Sequence, residues 1–306
     1  MPSPKILEDT DLYNVEAARI AVAAVRDAVS AHGDGLLVAP PRHTVPFGRG
    51  ALVFTVGGSD SIVGFRAYET FPTSAQDQVV AVWDTRTGNL EGIAVGEMVG
   101  ALRTGALGAL AVDLLARPKT RRCAVLGSGR QARTQLLCTS TVRTFDEVTV
   151  FSPTAANREQ FAEELGELTG LPVVAADDAE TAVEGADVVI CATAAHSPVF
   201  EARWLSAGVH VNTVGPKYRN AHELPLEMAA LADVIATDSP QQVAAQGADH
   251  FLAAHLTETP VVDLADVLSG TAGRASASQS TLFLSAGLAG TETMVAHALL
   301  SAGLSA

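Results

Sequence analysis

The sequence predicts an α/β protein of two domains, in which a doubly wound parallel sheet is inserted into an α+β domain. Three observations predict this organisation. Helix and hairpin patterns fill the chain up to Pro118, strand and helix patterns alternate after it, and the first of the later strands runs into a glycine-rich turn at Gly127. Strands that are separated by helices form parallel sheets. A chain of 306 residues is long enough for two such domains.

The first segment is predicted to hold a helix and an antiparallel sheet. Asn14 can cap a helix that carries valines and alanines on one face. The turn sequences GGSD and TRTGN then each separate two apolar runs, which is typical of hairpins. A long helix follows from Glu97 to Arg117, where Pro118 ends it. The predicted strands span 51–56, 61–68, 79–84 and 90–95.

The second segment alternates between strands and helices. Strands are predicted at 122–126, 147–151, 187–192, 209–214 and 233–237, with helices such as 155–169 between most of them. The last segment, STLFLSAGLAGTETMVAHALLSAG, predicts a strand, a turn and a helix, and its pattern does not require the strand to join the parallel sheet. We therefore predict a nucleotide-binding domain at 119–285 and a second domain formed by 1–118 together with 286–306.

Composition favours chemistry on small molecules. The chain has 34 acidic and 20 basic residues, and a formal net charge of −14 repels nucleic acid and anionic membranes. The three cysteines are too few and too scattered for a disulfide framework, and no metal site is predicted. The first residues lack the apolar core of a signal peptide, and no run approaches the roughly 18 apolar residues of a membrane span. We expect a cytoplasmic protein with no nucleic-acid or membrane partner.

Residues 127–132, GSGRQA, fit the dinucleotide-binding pattern G-x-G-x-x-A. Gly127 permits the tight turn, Gly129 lets a pyrophosphate approach the backbone, and Ala132 lets the following helix pack on the strand. The N-terminus of that helix supplies free N–H groups for phosphate. The match follows a strand, begins a helix and precedes an alternating pattern, so cofactor binding is favoured over a merely structural turn.

The choice between NAD and NADP depends on the end of the strand 147–151. An acidic residue at this position binds the ribose 2′-hydroxyl of NAD, whereas polar or basic residues favour the 2′-phosphate of NADP. Here the strand runs into Ser152, Thr154 and Arg158, with no carboxylate at its end. The sequence therefore favours NADP, with NAD as the alternative.

Arg103 is the only basic residue between Glu97 and Ala116, in a segment that is otherwise dense in alanine, glycine and leucine. A buried guanidinium needs an anion. Glu97 or Glu91 could supply one in an ordinary internal ion pair. The alternative is a substrate carboxylate, which arginine binds through two parallel hydrogen bonds. Arg42, in PPRHTVP, is a candidate for a second contact to the same carboxylate.

Eight segments resemble the ornithine cyclodeaminase/mu-crystallin family. In order along nearly the whole chain they are PPR, GFRAYETFP, WDTRTGNLEGI, LRTGALGALA, LGSGRQARTQ, GADVVICAT, VHVNTVG and STLFLSAGLAGTE. Together they are specific, and the chain is identified as a member. The resemblance implies a Rossmann domain inserted into a domain that binds substrate and forms a homodimer.

The family's chemistry, as the resemblance implies it, is hydride transfer between a nicotinamide and the α-carbon of an amino acid or its imine. Arg42 and Arg103 match the positions that hold the substrate carboxylate. Cofactor-contacting positions are matched by Thr104, Gly127, Ser128, Gly129, Arg130, Gln131, Ser152, Thr193, Gly215 and Ser285.

Three positions depart from the cyclodeaminase pattern. Arg66 replaces a substrate-site lysine, Lys217 stands where cyclodeaminases carry a catalytic aspartate, and Val53 stands where they carry a glutamate. Ornithine cyclisation is therefore disfavoured. The groups that would act on its second amine and on the departing ammonia are absent, or are replaced by a residue of opposite charge. Lys217 is either a solvated loop lysine or a proton carrier whose pKa is lowered by burial and by the like charge of Arg66. Two histidines in predicted loops, His43 and His196, are further candidate proton carriers.

We therefore predict an NAD(P)H-dependent imino-acid reductase or amino-acid dehydrogenase. Arg42 and Arg103 would bind the carboxylate of a small amino or imino acid, and Arg66 would line the site and polarise either the imine or a second acidic group. Lys217 or water would supply the proton. Four cations in one site predict a substrate with more than one carboxylate, or with one carboxylate and another anionic or strongly polar group. The alternatives are an ornithine cyclodeaminase and a non-catalytic, nucleotide-dependent binding protein. The second is disfavoured because neither arginine is needed simply to hold a nucleotide.

Overall fold

The computed structural model describes residues 4–72, 77–256 and 260–304. The chain divides into two compact units: unit 1 runs up to Ala106 and resumes at Leu288, and unit 2 runs from Leu107 to Gly287. The sequence places the first boundary at residue 118, whereas this division falls inside a long helix. That helix has no break in its backbone at the boundary, so nothing local in the sequence marks the position.

Unit 1 holds one mixed sheet and the helices that pack on it. Its elements up to the boundary helix are β1 (Lys5–Glu8), α1 (Asp9–Leu12), α2 (Val15–Gly33), β2 (His43–Phe47), β3 (Gly50–Gly58), β4 (Ile62–Glu69), β5 (Gln78–Asp84), β6 (Leu90–Val95) and α3 (Met98–Leu115). The order of the six strands is β1-β6-β5-β4-β3-β2, and only β1 pairs in parallel with its neighbour. Asn14 caps α2 by accepting a hydrogen bond from the backbone N–H of Ala17, as predicted.

Unit 2 holds an eight-stranded sheet in which every pair of neighbouring strands is parallel. Its elements are β7 (Arg122–Leu126), α4 (Arg130–Ser140), β8 (Glu147–Phe151), α5 (Ala155–Thr169), β9 (Val173–Ala175), α6 (Ala179–Val183), β10 (Val188–Cys191), β11 (His210–Thr213), β12 (Lys217–Tyr218), β13 (Ala221–His222), α7 (Met228–Leu231), β14 (Val234–Thr237), α8 (Pro240–Gln246), α9 (Ala253–Leu256), β15 (Val262–Asp263), α10 (Leu264–Ser269) and β16 (Thr281–Leu284). The order is β15-β14-β16-β11-β10-β7-β8-β9, and β12 and β13 form a separate hairpin. The last helix, α11 (Thr291–Ser301), belongs to unit 1.

The predicted fold class, a parallel doubly wound sheet within a mixed α/β chain, is confirmed. The structure settles the place of one predicted strand that the sequence left open. The terminal strand β16 lies inside the parallel sheet between β11 and β14, although its sequence pattern left its place open. Strands β1, β2, β9, β12, β13 and β15 were not predicted, because each is short and has no clear period-2 pattern of its own.

The sheet of unit 1 has two chemically different faces. One face packs against α11: a Cβ on Gly64 would lie 2.8 Å from the Thr293 side chain, and one on Gly92 would lie 2.6 Å from Leu300. Because side chains alternate along a strand, Arg66 lies on the same face as Gly64. The opposite face carries Val63, which is 41% exposed, and Val56, which is 51% exposed.

By length and composition alone, helix α3 could cross a membrane, which the sequence pattern did not lead us to expect. Most of the helix is buried inside the protein, as the core helix of a globular fold is.

Candidate active site

The carboxyl ends of the strands in unit 2 bring most of the predicted cofactor residues to one edge of the sheet. Neighbours β7 and β10 lie where the strand order reverses, which is the place where doubly wound sheets bind ligands. A cavity of about 460 Å³ opens there. Its lining includes Gly127, Ser128, Gly129, Ser152, Thr154 and Thr193. Gly215 follows β11 and Ser285 follows β16, at the same edge.

The glycine turn fits a dinucleotide. Gly127 has φ of +111°, and a Cβ at this position would overlap the carbonyl oxygen of Ala192. At Gly129, by contrast, a Cβ would meet nothing within 4 Å, so the backbone is open to an approaching phosphate. Helix α4 begins directly after it, at Arg130, and its first N–H groups face the turn. In the same turn of the helix, Oε1 of Gln131 is buried and has no hydrogen-bond partner among the residues that the structure describes.

The end of β8 carries no carboxylate. The Ser152 hydroxyl is buried and accepts a hydrogen bond from Oγ of Ser128 at 2.9 Å, so it points into the turn. Arg158 donates to the Ser152 carbonyl at 3.2 Å and lies 3.6 Å from the Asp177 carboxylate. Thr154 remains exposed at the rim. These contacts place two hydroxyl groups, a guanidinium and the Asp177 carboxylate that pairs with it near the end of β8.

A fully buried carboxylate, that of Glu223, holds the ends of β10 and β11. Its Oε2 accepts hydrogen bonds from the backbone N–H and the hydroxyl of Thr193, both at 2.8 Å. Its Oε1 accepts from the Thr213 hydroxyl at 2.6 Å, and from the backbone N–H groups of Val214 at 3.2 Å and Gly215 at 2.7 Å. A Cβ on Gly215 would overlap this carboxylate, which explains the glycine.

Lys217 is buried in β12, where only 8% of the residue is exposed. Its Nζ donates a hydrogen bond to the Gly215 carbonyl at 2.9 Å. Burial lowers the pKa of Lys217 to about 8, while the carboxylates of Glu223 and Asp238 act in the opposite direction. The charges that act on Lys217 within unit 2 are those of the two carboxylates, and the expected influence of Arg66 on this pKa stays a prediction. The alternative of a solvated loop lysine is wrong.

The buried carboxylate of Asp238 follows β14 and accepts hydrogen bonds from the backbone N–H groups of Ala286 and Gly287, both at 2.7 Å. It therefore fixes the turn after β16 that begins with Ser285. The imidazole of His250 is 1% exposed, and burial together with the charge of Lys217 lowers its pKa to about 4. The amine of Lys217 thus lies in a buried polar environment with two carboxylates and a neutral imidazole.

A second cluster lies in unit 1, where two arginines share one buried carboxylate. Nη2 of Arg103 donates to Oε1 of Glu292 at 2.5 Å, and Nη1 of Arg66 donates to the same oxygen at 3.3 Å. Oε2 of Glu292 and Nε of Arg103 have no hydrogen-bond partner among the described residues. Arg66 is further held by Oε1 of Gln78 at 2.8 Å and lies over the Tyr68 ring at 4.3 Å.

The charges in this cluster do not balance. Burial, and then the like charge of Arg103, lower the pKa of the Arg66 guanidinium, and Glu292 opposes the shift. Burial alone would raise the pKa of Glu292, but the two arginines outweigh it and the pKa lies below its ordinary value. Two cations and one anion leave one positive charge over, in a place where Arg103 is only 5% exposed.

The internal partner of Arg103 differs from both predicted candidates. Glu91 is bonded to His297 at 2.6 Å, and the carboxylate on Arg103 is Glu292. Glu292 stands in the quoted segment STLFLSAGLAGTE but 189 positions from Arg103, so helix periodicity could not pair them.

The remaining predicted residues of unit 1 lie as follows. Arg42 is exposed on the segment before β2, and Thr104 in α3 donates its hydroxyl to the Gly100 carbonyl at 2.9 Å. Their roles stay predictions. His43 is the first residue of β2 rather than part of a loop, and it pairs with Phe54 beside the exposed apolar face of the sheet. Strand alternation therefore places it away from Arg66, which makes it a poor proton carrier for that cluster.

In unit 2, His196 is exposed in a loop after β10, as predicted, and its role also stays a prediction. All three cysteines are buried, and burial raises the pKa of each thiol, so they are inert. In the three described ranges, no group of three or more His, Cys, Asp or Glu side chains could hold a metal ion.

Three buried carboxylates, those of Glu223, Asp238 and Glu292, were missed by the sequence analysis. Each stands next to an apolar run, where an acidic residue is usually a solvent-exposed residue at the end of a strand or helix. Glu292 is the last residue of one of the segments that resemble the family, and this position was the signal that could have identified it.

Comparison with known proteins places this geometry in a family. The family model for the ornithine cyclodeaminase/mu-crystallin family matches residues 16–301. A Delta(1)-pyrroline-2-carboxylate reductase of Bacillus cereus is 30% identical over 226 residues, which cover 72% of this chain and 69% of that protein. The ketimine reductase mu-crystallin of Mus musculus is 28% identical over 278 residues, which cover 87% of this chain and 85% of that protein.

A solved structure shares the whole fold. The Delta(1)-pyrroline-2-carboxylate reductase of Thermococcus litoralis, in complex with NADH and L-proline, superposes with a TM-score of 0.86 at 25% sequence identity, and the match covers 99% of each chain. The prediction of an enzyme, a nicotinamide-dependent oxidoreductase, is confirmed by these relatives. This chain therefore belongs to the ornithine cyclodeaminase/mu-crystallin family.

Proposed function

We propose that this protein reduces a cyclic or linear 2-imino carboxylate to the corresponding amino acid, with NAD(P)H as the reductant. The observation that carries the proposal is the pair of arginines on Glu292. One buried positive charge is left over there, and Nε of Arg103 has no partner among the described residues. A buried cation needs an anion, and a planar carboxylate is the anion that guanidinium groups bind best.

The cofactor side of the proposal rests on the edge of the parallel sheet. Gly127, Gly129 and the N-terminus of α4 form the pyrophosphate cradle, and Thr193, Gly215 and Ser285 end the strands that border it. When bound, a nicotinamide supplies the hydride that adds to the α-carbon of the imine. The pocket residues of this chain hold the cofactor and exclude water; none of them reacts.

Lys217 supplies the proton. Reduction of a C=N bond adds a hydride to carbon and a proton to nitrogen, so the reaction needs a donor that is protonated near neutral pH. A lysine with a pKa of about 8 is protonated at pH 7 and releases its proton readily. Its Nζ then regains a proton from solvent, and the C=N bond has become a C–N single bond that bears both hydrogens.

The predicted preference for a substrate with several anionic groups is not retained. That expectation counted four cations and no anions. The three buried carboxylates remove its physical basis, because each cation cluster already contains at least one carboxylate. One surplus charge at Arg66 and Arg103 matches one substrate carboxylate. The relatives named for pyrroline-2-carboxylate and ketimine reduction act on substrates of this kind, which supports the proposal.

NADPH is the proposed cofactor. Support comes from Ser152, Thr154 and Arg158, which place polar and basic groups at the end of β8, and no carboxylate lines the cavity there. NADH is the alternative, because the bound nicotinamide of the Thermococcus relative is NADH.

We also propose that the protein is a cytoplasmic homodimer. Support for the dimer comes from the exposed apolar face of the unit 1 sheet, where Val56, Val63, Phe65 and Trp83 border a cavity of about 490 Å³ with almost no polar lining. An exposed apolar patch of this kind marks a protein–protein interface. Light scattering at micromolar concentration tests the dimer, and a monomer would contradict it.

The decisive experiment is a cofactor-oxidation screen. Cyclic and linear imino acids are offered with NADH and with NADPH, and loss of absorbance of the reduced cofactor is measured. Turnover of an imino monocarboxylate supports the proposal, and no turnover of any imino acid would leave a nucleotide-dependent binding protein as the better account. In a parallel arm ornithine is supplied with the oxidised cofactor, and release of proline and ammonia would identify a cyclodeaminase instead.

A further inference from the structure

We propose that Glu223 is a positioning residue for the proton donor: its carboxylate fastens the turns at the ends of β10 and β11 and, through the backbone on either side of the Gly215 Cα, holds the Lys217 amine in place and in its charged form. The inference rests on the proposed role of Lys217. It concerns a residue that matches none of the positions identified in the sequence.

The geometry is a chain of hydrogen bonds. Oε1 of Glu223 accepts from the Gly215 N–H at 2.7 Å, and the carbonyl of the same residue accepts from Nζ of Lys217 at 2.9 Å. The N–H and the C=O of Gly215 belong to successive peptide groups that are joined through its Cα. Glu223 therefore acts on Lys217 by fixing the position of the carbonyl that the amine binds.

Five donors converge on this one carboxylate, and they come from two different strand ends. Thr193 follows β10, whereas Thr213, Val214 and Gly215 end or follow β11. Glu223 itself is 0% exposed. A simple capping residue satisfies one or two N–H groups of its own element. Glu223 instead joins two strand ends that lie at the edge of the cofactor cavity.

The second function of Glu223 is electrostatic. Burial disfavours the ammonium form of Lys217, and the carboxylates of Glu223 and Asp238 offset part of that effect. The other titratable groups that face the amine are His222, which is paired with Lys217 across the β12–β13 hairpin, and His250, whose backbone pairs with Tyr218. The imidazole of His250 is neutral near pH 7, because its pKa is about 4, so it adds no charge.

The test separates the charge of Glu223 from its shape. Glu223→Gln keeps the length but removes the charge, so the ammonium form of Lys217 is less favoured and the alkaline limb of the reduction profile moves to lower pH. Glu223→Asp keeps the charge but is one methylene shorter, so the limb stays in place while kcat falls by up to about a hundred-fold, since a displacement of about 1 Å is enough for such a loss. Glu227→Gln, the same change at an exposed residue four positions further on, serves as the matched control and should behave as wild type.

A direct readout does not depend on turnover. The Lys217 amine is titrated by NMR in cofactor-free protein with isotope-labelled lysine, and Lys217→Met identifies its signal. We expect a wild-type midpoint near 8 and a lower midpoint in Glu223→Gln. An unchanged midpoint and an unchanged pH limb in Glu223→Gln would overturn the inference and leave Lys217 as the donor. If Lys217→Met keeps the wild-type limb, the assignment of Lys217 itself fails. Loss of the fold in both Glu223 variants would make the residue a folding determinant and would also overturn the inference.

Discussion

The two charged clusters of this protein use opposite arrangements of the same groups. In unit 1, Arg66 and Arg103 share the single carboxylate of Glu292, so positive charge is in excess. In unit 2, Lys217 is acted on by the two carboxylates of Glu223 and Asp238, so negative charge is in excess. Both clusters are buried, so neither charge is screened by water.

The difference indicates a division of chemical tasks. A guanidinium stays charged over the whole physiological range, so a cluster with surplus arginine holds an anion but cannot exchange a proton. A lysine amine changes its charge when it is buried, so a lysine between carboxylates is suited to give and regain a proton. The first cluster is the proposed carboxylate site and the second is the proposed acid.

The largest expected effect comes from removing the titrating amine. Lys217→Met should lower kcat for imine reduction by about a hundred- to ten-thousand-fold, which is the usual contribution of a general acid. In the wild type, reduction needs the protonated lysine, so activity is high below pH 8 and falls as the pH rises through the pKa of about 8. Oxidation of the amino acid needs the neutral amine and should rise over the same interval.

Steady-state rates between pH 6 and 10 measure both effects. Lys119→Met, a change at an exposed lysine of the same unit, is the control and should leave the profile intact. If Lys217→Met keeps the wild-type kcat at pH 7, Lys217 is not the acid, and the proposed division of tasks between the two clusters is wrong.

The second largest effect is on stability and comes from the shared carboxylate. Glu292→Gln leaves two buried guanidinium groups without their anion, and breaking a buried pair in this way typically costs about 3 to 5 kcal/mol. We expect the melting temperature to fall by roughly 10 °C.

An added imino or amino carboxylate should restore more stability to the variant than to the wild type, because it replaces the missing anion. Calorimetry with and without ligand tests this, with Glu16→Gln at an exposed ion pair of unit 1 as the control. Equal ligand effects in both proteins would argue against an anion site.

Arg103→Lys tests whether the first cluster recognises shape as well as charge. Lysine keeps the charge but loses the planar pair of donors, so kcat/KM should fall about a hundred-fold, or roughly 3 kcal/mol. The dissociation constant for the cofactor should change little. Arg86→Lys, at an exposed arginine of the same unit, is the matched control. Normal turnover by Arg103→Lys would reduce Arg103 to a structural partner of Glu292.

The smallest expected effect concerns the cofactor cavity, where none of the described lining residues carries a carboxylate. Ser152→Asp introduces one at the end of β8, where it should repel the 2′-phosphate of NADPH and accept a hydrogen bond from the ribose of NADH. We expect the ratio of kcat/KM for NADPH to that for NADH to fall about tenfold, or roughly 1.4 kcal/mol. Ser140→Asp, at the far end of α4, controls for added charge. A wild-type enzyme that already prefers NADH would contradict the proposed preference.

Several elements could be predicted because their signals are local. Asn14 and the valines after it define α2, and the predicted spans 147–151 and 155–169 coincide with β8 and α5. Local signals suffice here because a cap or a period involves residues within a few positions of one another. The glycine turn at Gly127 is local in the same sense, since a strand, a turn and a helix follow one another directly.

The place of β16 could not be predicted. Its sequence, TLFL, is that of a buried strand, but four apolar residues do not specify their neighbours. The sheet order puts it between β11 and β14, which come some seventy and some fifty residues earlier in the chain. The pairing is decided by packing of the whole sheet.

The family, the cofactor turn and the cations Arg66, Arg103 and Lys217 can be identified from the amino-acid sequence, because each depends on residue type and on near neighbours. The groups that those cations face depend on how the chain folds. Glu292 meets Arg103 across 189 positions, and Glu223 reaches Thr193 across 30. A charge acts through space in a medium of low dielectric constant, so its effect is set by distance and burial. Neither the distance between two charges nor their burial can be read from the order of residues along the chain.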